Sequence, residues 1–494
     1  MSTPQTSSAP RSRAAVLPSV TRISRAAAPD SPHPPSLLSP IGLLTVLLGA
    51  FLPMLDFFIV NVALPTIERD LTAGPATLEL FVAGYGISYA VLLVLGGRLG
   101  DRYGRRRLFI TGALLFALTS LACGVAPTAG ALVAARAAQG AASAMMLPQV
   151  LATIQSTTEG HRRTRAMGIY GAVGGIATVI GQVLGGVLVT ANLFGTGWRF
   201  IFLVNVPVAL VASVLAVRSV PETRSAHPAR TDVPGTALLA SALLALLVPL
   251  MEGRSLGWPW WSRLLLGAFP FLLAGFVAVE RRTERNGGVP LVPISLLQVR
   301  GLRLGLTTAV PFFAGFGGFM MVIAVALQVG MHEGPISAGL SMVPMATGFF
   351  LASLSGPRLL PRFGTRVMTF GALLQAVGLA VLAATVYADW SHISPYALIP
   401  GMAITGIGQG LVMPPLFRVV LADVPADRAG VGGGIMATTQ QSSLALGVAT
   451  LGTLFLALSP SLGTRDALPL VLTIQLAMTL VVAVLTTRLP RALS

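Results

Sequence analysis

Stretches of about twenty residues with little or no charge recur from residue 41 to residue 487, and this series leaves few options for the fold. A helix needs about 20 apolar residues to cross the hydrocarbon core of a bilayer. One such stretch can be the core helix of a soluble domain, but more than ten in series have no soluble counterpart. The spacing predicts fourteen helical spans: 41–64, 77–99, 108–126, 130–155, 166–190, 199–219, 234–252, 263–280, 304–327, 337–358, 367–388, 395–420, 429–457 and 467–487. Only 10% of the 494 residues are charged, where a soluble domain carries about 25%. The expected class is all-α and integral to a membrane.

Charge then orients the chain. The net charge is +16, and all 33 basic residues are Arg. With the N-terminus on the cytoplasmic side, tails, loops and helix ends facing the cytoplasm hold 27 of them, the exceptions being Arg69, Arg136, Arg199, Arg254, Arg263 and Arg465. Basic residues gather in cytoplasmic loops of membrane proteins, so both termini are expected inside, in the plasma (inner) membrane. A nucleic-acid surface would instead cluster charge on one folded face, and no nucleic-acid partner is expected. Without Lys there is no P-loop to hold ATP phosphates. The His residues, at 33, 161, 227, 332 and 392, lie in tails, loops or helix ends, which counts against metal or acid–base catalysis inside the membrane. The protein is expected to be no enzyme, to bind no metal or cofactor, and to draw its energy from a gradient. Cys123 has no partner for an internal disulfide.

Residues 1–40 are rich in Ser, Pro, Ala and Arg, and read as a disordered cytoplasmic tail. An internal repeat divides the rest. Residues 96–106 read GGRLGDRYGRR and residues 356–366 read GPRLLPRFGTR, 260 positions apart, each closing a span that descends to the cytoplasm. The first copy ends the second span and the other ends the tenth, so the second half begins after eight spans. The expected order is a six-helix half (41–219), a linker (220–303) with an inserted hairpin at 234–280, a second six-helix half (304–487) and a short tail (488–494).

Several segments resemble one family, the fourteen-span drug:proton antiporters of the major facilitator superfamily. LDFFIVNVALPTIERDL (55–71) looks like its first-helix motif, and GGRLGDRYGRRR (96–107) like the superfamily's loop motif. RAAQGAASAMMLP (136–148), WRFIFLVNVP (198–207), GMAITGIGQGLVMPP (401–415) and DRAGVGGGIMATTQQ (427–441) are similar to later segments. The resemblance implies two six-helix halves around a midplane site, proton-driven export and a lipophilic substrate. One position departs from it: GQVLGG (181–186) has Gln182 where the family's fifth helix has Pro. Gly181, Gly185 and Gly186 still offer a small-residue face for close helix packing.

Asp56 is the leading candidate for proton coupling, because an intramembrane carboxylate is costly and usually functional. Arg136 is its expected partner: at about 1.5 Å per residue the two lie roughly 12 and 9 Å from the outer ends of their helices. In the family this Arg is implicated in proton movement. The loop motif reads as a gate, with Gly97 and Gly104 for close packing and a tight turn, Asp101 facing the N-terminus of another helix, and Arg102, Arg105 and Arg106 pairing with acids or lipid phosphates. Asn61, Tyr85, Tyr89, Gln139, Gln182, Gln440 and Gln441 are polar residues within spans and candidates to line a substrate cavity; helix-to-helix hydrogen bonding is the alternative for each. The combined expectation is a monomeric proton-coupled antiporter, in contact with membrane lipids, that exports a lipophilic drug or antibiotic. The rivals are a proton symporter importing a nutrient on the same fold and a non-transporting membrane sensor.

Overall fold

The computed structural model describes residues 38–224, 232–253, 256–288, 290–389, 394–422, 424 and 429–489, all within one compact unit, Leu37–Ser494. Nearly all of the expected N-terminal tail, part of the linker and the last five residues lie outside that set.

The helix starts follow from local chemistry. α1 (Pro40–Leu71) is capped by Ser39, which accepts the Gly42 N–H at 3.0 Å, and Pro40 fills a first-turn position that needs no donor. α2 (Pro75–Tyr103) also begins on Pro. α3 (Arg105–Gly124) follows after one residue, and Thr128 caps α4 (Ala129–Thr157) through the Ala131 N–H at 3.2 Å. α5 spans Gly160–Ala191. The sixth predicted span is broken at Val204 into α6 (Phe200–Leu203) and α7 (Asn205–Ser219). α8 (Val233–Glu252), capped by Asp232, and α9 (Trp260–Arg285) form the inserted hairpin. α10 (Arg300–Val325) closes in a π turn at Ala326–Gly330. The next span is split at Met342 into α11 (Pro335–Ser341) and α12 (Val343–Phe363). α13 (Arg366–Asp389), α14 (Ile399–Ala422) and α15 (Ala429–Gly447) follow, and a π turn at Val448–Gly452 leads into α16 (Thr453–Thr487).

Among the described residues, eleven stretches are long and apolar enough to cross a membrane. The 29-residue α4 is not one of them; Arg136, Gln139 and Gln149, all buried, lower its hydropathy. The last stretch, Gly432–Thr487, has 56 residues and bends sharply at Gly463 (φ 72°, ψ 161°).

The internal repeat is visible in the backbone. Gly104 (φ 109°) ends α2 and Gly364 (φ 57°) ends α12. Their N–H groups donate to Gly100 O at 2.9 Å and Leu360 O at 2.8 Å. A side chain at either φ is strained, which is why both copies keep Gly. Close packing near the first copy falls elsewhere than expected. A Cβ at Gly97 would meet only the Pro148 side chain at an ordinary 3.6 Å, whereas one at Gly96 would meet Ala144 O at 2.0 Å and one at Gly100 would meet the Gln149 amide at 1.9 Å. Gly96 and Gly100 let α2 lie against α4, and Gly97 does not.

Helices α1–α7 pack mainly on one another, and so do α10–α16. These two bundles meet where α1 and α5 touch α10, α11 and α12, and where α2 touches α15. α8 rests on α2 and on the 448–452 turn, while α9 packs on α8 and leaves most of its residues at least partly exposed. Local bonds hold the hairpin and the segment after it. Glu280 of α9 accepts the Val292 N–H at 2.7 Å, Asp232 accepts the Gly235 N–H at 2.9 Å, and Arg98 of α2 donates to Pro290 O.

Candidate transport site

The centre of the first bundle holds a sealed polar cluster. Asp56 on α1 and Arg136 on α4 are both fully buried and form an ion pair through one Asp56 oxygen. The other oxygen, Oδ1, accepts from Gln139 Nε2 at 2.9 Å and from Asn205 Nδ2 at 2.8 Å. Arg136 also donates through Nε to Phe81 O at 2.8 Å and through Nη1 to Gln139 Oε1 at 2.7 Å. Its guanidinium lies over the Tyr85 ring, 4.4 Å from the centroid, and near Phe202 at 5.6 Å. Gln139 completes the set by donating to Ser120 at 2.8 Å. Buried charge is tolerated here because the carboxylate has a cation and two amide donors. One Arg136 nitrogen, Nη2, and Asn205 Oδ1 have no protein partner, so the cluster keeps spare hydrogen-bonding capacity.

The small residues of α4 allow this approach. A Cβ at Gly140 would meet Tyr85 O at 2.2 Å, so only Gly lets α4 bring Arg136 up to α2. Tyr85 bridges the helices with its hydroxyl, which lies 3.0 Å from Pro53 O and 2.8 Å from Ser143 Oγ.

An apolar cavity sits beside the cluster, at the junction of the two bundles. Pro53, Met54, Phe57 and Phe58 of α1, Tyr89 of α2, Phe313 and Phe316 of α10, and Gln440 and Gln441 of α15 line it, with Gly174, Phe349, Met413 and Leu444. Three of the seven polar residues expected to face a cavity, Tyr89, Gln440 and Gln441, therefore do so. The other four are turned elsewhere. Tyr85 and Gln139 belong to the ion-pair cluster, Asn61 bonds back to Phe57 O at 3.3 Å, and Gln182 is buried against Met320 at 3.9 Å from its sulfur. The fifth-helix glycines do pack closely. A Cβ at Gly181 would meet Leu55 O at 3.1 Å, one at Gly185 would meet Ile59 O at 2.9 Å, and one at Gly186 would meet Pro335 O of α11 at 2.4 Å.

The loop motif meets the start of α3. Asp101 is half-exposed and pairs at 2.8 Å with the side chain of Arg105, the first residue of α3. Glu222, just after α7, also lies at this helix start: it accepts the Arg106 N–H at 3.2 Å and lies 3.7 and 3.8 Å from the Arg106 and Arg107 side chains. An acid there complements the positive end of α3. Arg102 is exposed and lies over its neighbour Tyr103.

Sequence reasoning missed four contributors. Asn205 stands inside the WRFIFLVNVP segment, where its polarity within an apolar run was the available signal. Ser120 and Glu222 carry no such mark. Glu79 lies near the start of α2, a position that by itself suggests only a helix-end acid. Its side chain is nonetheless only 2% exposed, with the carboxyl 2.5 Å from Thr453 Oγ1 of the second bundle. The same segment explains Trp198 and Arg199, which bond to Asp70 at 2.9 and 2.6 Å and tie the end of α1 to the start of α6.

Residues 46–448 match the family model described as Major Facilitator Superfamily. The chain is 39% identical over 425 residues to a probable actinorhodin transporter of Streptomyces coelicolor, spanning 86% of this chain and 74% of that protein. It is 36% identical over 420 residues to a puromycin resistance protein of Streptomyces alboniger, covering 83% and 81%. Identity to the tetracenomycin C resistance and export protein of Streptomyces glaucescens is 32% over 424 residues, covering 83% and 75%. Among solved structures, an auto-inhibited peptide transporter of the POT family superposes with a TM-score of 0.64 over 91% of this chain and 97% of that one; at 17% identity the likeness is one of fold.

Proposed function

The chain belongs to the major facilitator superfamily, and on that premise we propose that it is a proton-coupled antiporter that exports a lipophilic small molecule, of the drug or antibiotic class, by alternating access. Relatives named for antibiotic transport and resistance support the substrate class. Counting α4 and α5 as crossings and dividing the last stretch at Gly463 gives fourteen spans, in the order six, two, six. In this reading the Arg-rich end at residues 102–107 faces the cytoplasm with both termini, in the plasma membrane, and the protein works as a monomer.

The observation that carries the reading is the adjacency of the ion pair and the cavity. Asp56 is fully buried with Arg136, while Pro53, Met54, Phe57 and Phe58, on the same two turns of α1, line the apolar cavity. Tyr85 joins the two, with its ring against Arg136 and its hydroxyl near Pro53 O. A proton arriving at Asp56 neutralises the carboxylate and releases Arg136 from it. The helix that carries the cavity wall then feels the change. Substrate and proton thus compete for one element, as exchange requires. One inward proton supplies about 2.3 kcal/mol per 100 mV and about 1.4 kcal/mol per pH unit. No cofactor is needed.

The test is substrate flux in vesicles of known orientation, with an imposed pH gradient. Antiport predicts that an outward substrate gradient drives proton entry, and that Asp56→Asn abolishes gradient-driven accumulation while leaving substrate binding. Co-directional movement of proton and substrate would identify the symporter instead, and no flux of either would leave a sensor.

A further inference from the structure

The hydrogen-bond geometry around Glu79 carries information that the ion-pair cluster does not. Glu79 lies one turn into α2, at the end of the molecule that bears the 72–74 turn. Its carboxyl is 2.5 Å from Thr453 Oγ1, and the same hydroxyl is 2.9 Å from Ala449 O. Thr453 has one hydrogen for these two oxygens. If Glu79 is ionised, it takes that hydrogen and the buried Ala449 carbonyl loses its hydroxyl partner. If Glu79 is protonated, its O–H donates to Thr453, whose hydroxyl in turn donates to Ala449, and every oxygen in the chain is satisfied. Among the described residues, Glu252 of α8, another acid, is the charged group that acts on Glu79 through space. A negative charge at a 2% exposed position is costly.

The setting is the seam between the bundles. Thr453 is the first residue of α16, directly after the π turn at Val448–Gly452, and that turn packs on α2 and α8. Single π turns inside helices often sit at functional positions. We propose that Glu79 is a second proton-binding residue, whose protonated form latches α2 to the 449–453 segment and holds this end of the seam shut. Loss of the proton to water leaves a buried carboxylate, which is relieved when the bundles part and water reaches it. The inference shares the alternating-access reading above but places a pH-sensitive contact across the seam between the bundles, apart from the Asp56–Arg136 pair inside the first.

The experiment uses the full chain in lipid nanodiscs, with Cys123 replaced by Ala and spin labels on Gly74→Cys and Ser461→Cys, both exposed positions flanking the seam. Label-to-label distances are measured from pH 5 to pH 9. The expected result is a seam that opens with rising pH in the otherwise unaltered protein and in Asp56→Asn, and stays shut throughout in Glu79→Gln, which mimics the protonated acid. A Glu79→Gln seam that opens as the unaltered one does, or an unaltered seam that ignores pH, overturns the proposal. Flux measured on the same proteins separates the two readings: absence of proton-driven flux in the unaltered protein defeats the export reading and leaves the distance result to stand by itself.

Discussion

Asp56 and Glu79 lie on adjacent helices of one bundle, both shut away from solvent, and their surroundings are opposite. Asp56 has Arg136, Gln139 and Asn205 directed at it, all three as donors. Glu79 has one hydroxyl, which already has another acceptor in reach. The first is a cage built for a charge, and the second is a slot that fits a proton. A buried acid in a membrane helix is therefore not one kind of thing. The donors around it say which ionisation state the fold was built to hold, and so which event, arrival or departure of a proton, disturbs it.

The largest effect expected is from Arg136→Ala, which leaves Asp56 buried without its cation. Breaking a buried pair from one side costs about 3–5 kcal/mol, so the variant should yield little folded protein. Combining it with Asp56→Asn should recover much of the thermal stability, and a double variant no more stable than Arg136→Ala breaks the picture of a charge cage. Next is Asp56→Asn alone. It keeps the side chain's shape but leaves the buried Arg136 without its anion, so the variant should melt below the unaltered protein, and proton-driven flux should fall at least tenfold. Retained flux would move coupling to Glu79. Gly140→Ala comes third. The added methyl meets Tyr85 O at 2.2 Å, and such overpacking costs about 1–3 kcal/mol. It should lower thermal stability and slow flux by pushing Arg136 from α2, yet leave the pH response of the 72–74 end unchanged. The smallest effect belongs to Glu222→Gln, at the start of α3 and remote from both acids. A helix-end charge is worth about 0.3–1 kcal/mol, so a small fall in melting temperature is expected, with flux nearly intact; a large loss of flux would make Glu222 part of the gate.

Sequence made some of this legible for definite reasons. The apolar runs mark helices because a bilayer admits little else, and the 260-residue repeat gave two turn glycines at positive φ in matching places. Depth along two helices brought Asp56 and Arg136 to similar heights, since rise per residue is constant. What rise cannot give is the facing of each side chain. Tyr85 and Gln139 therefore group with the cavity by sequence, although they belong to the cage. Glu79 was hidden for a different reason. What buries it is a segment 374 positions away in the chain, and no local pattern in α2 records a neighbour that distant.

The contact of α5 with α11 has a thermodynamic consequence. Gly186 touches the backbone of Pro335 and Ile336, and Gly339 touches that of Gln182, in each case with a carbonyl where a side chain would have to be. Glycine has no rotamers to lose when it is buried. Bare backbone against bare backbone therefore closes without freezing side-chain motion and parts without having to release any. At this point of the junction each turn of a transport cycle spends almost no side-chain entropy, and the same surfaces can meet and separate many times with nothing to rearrange.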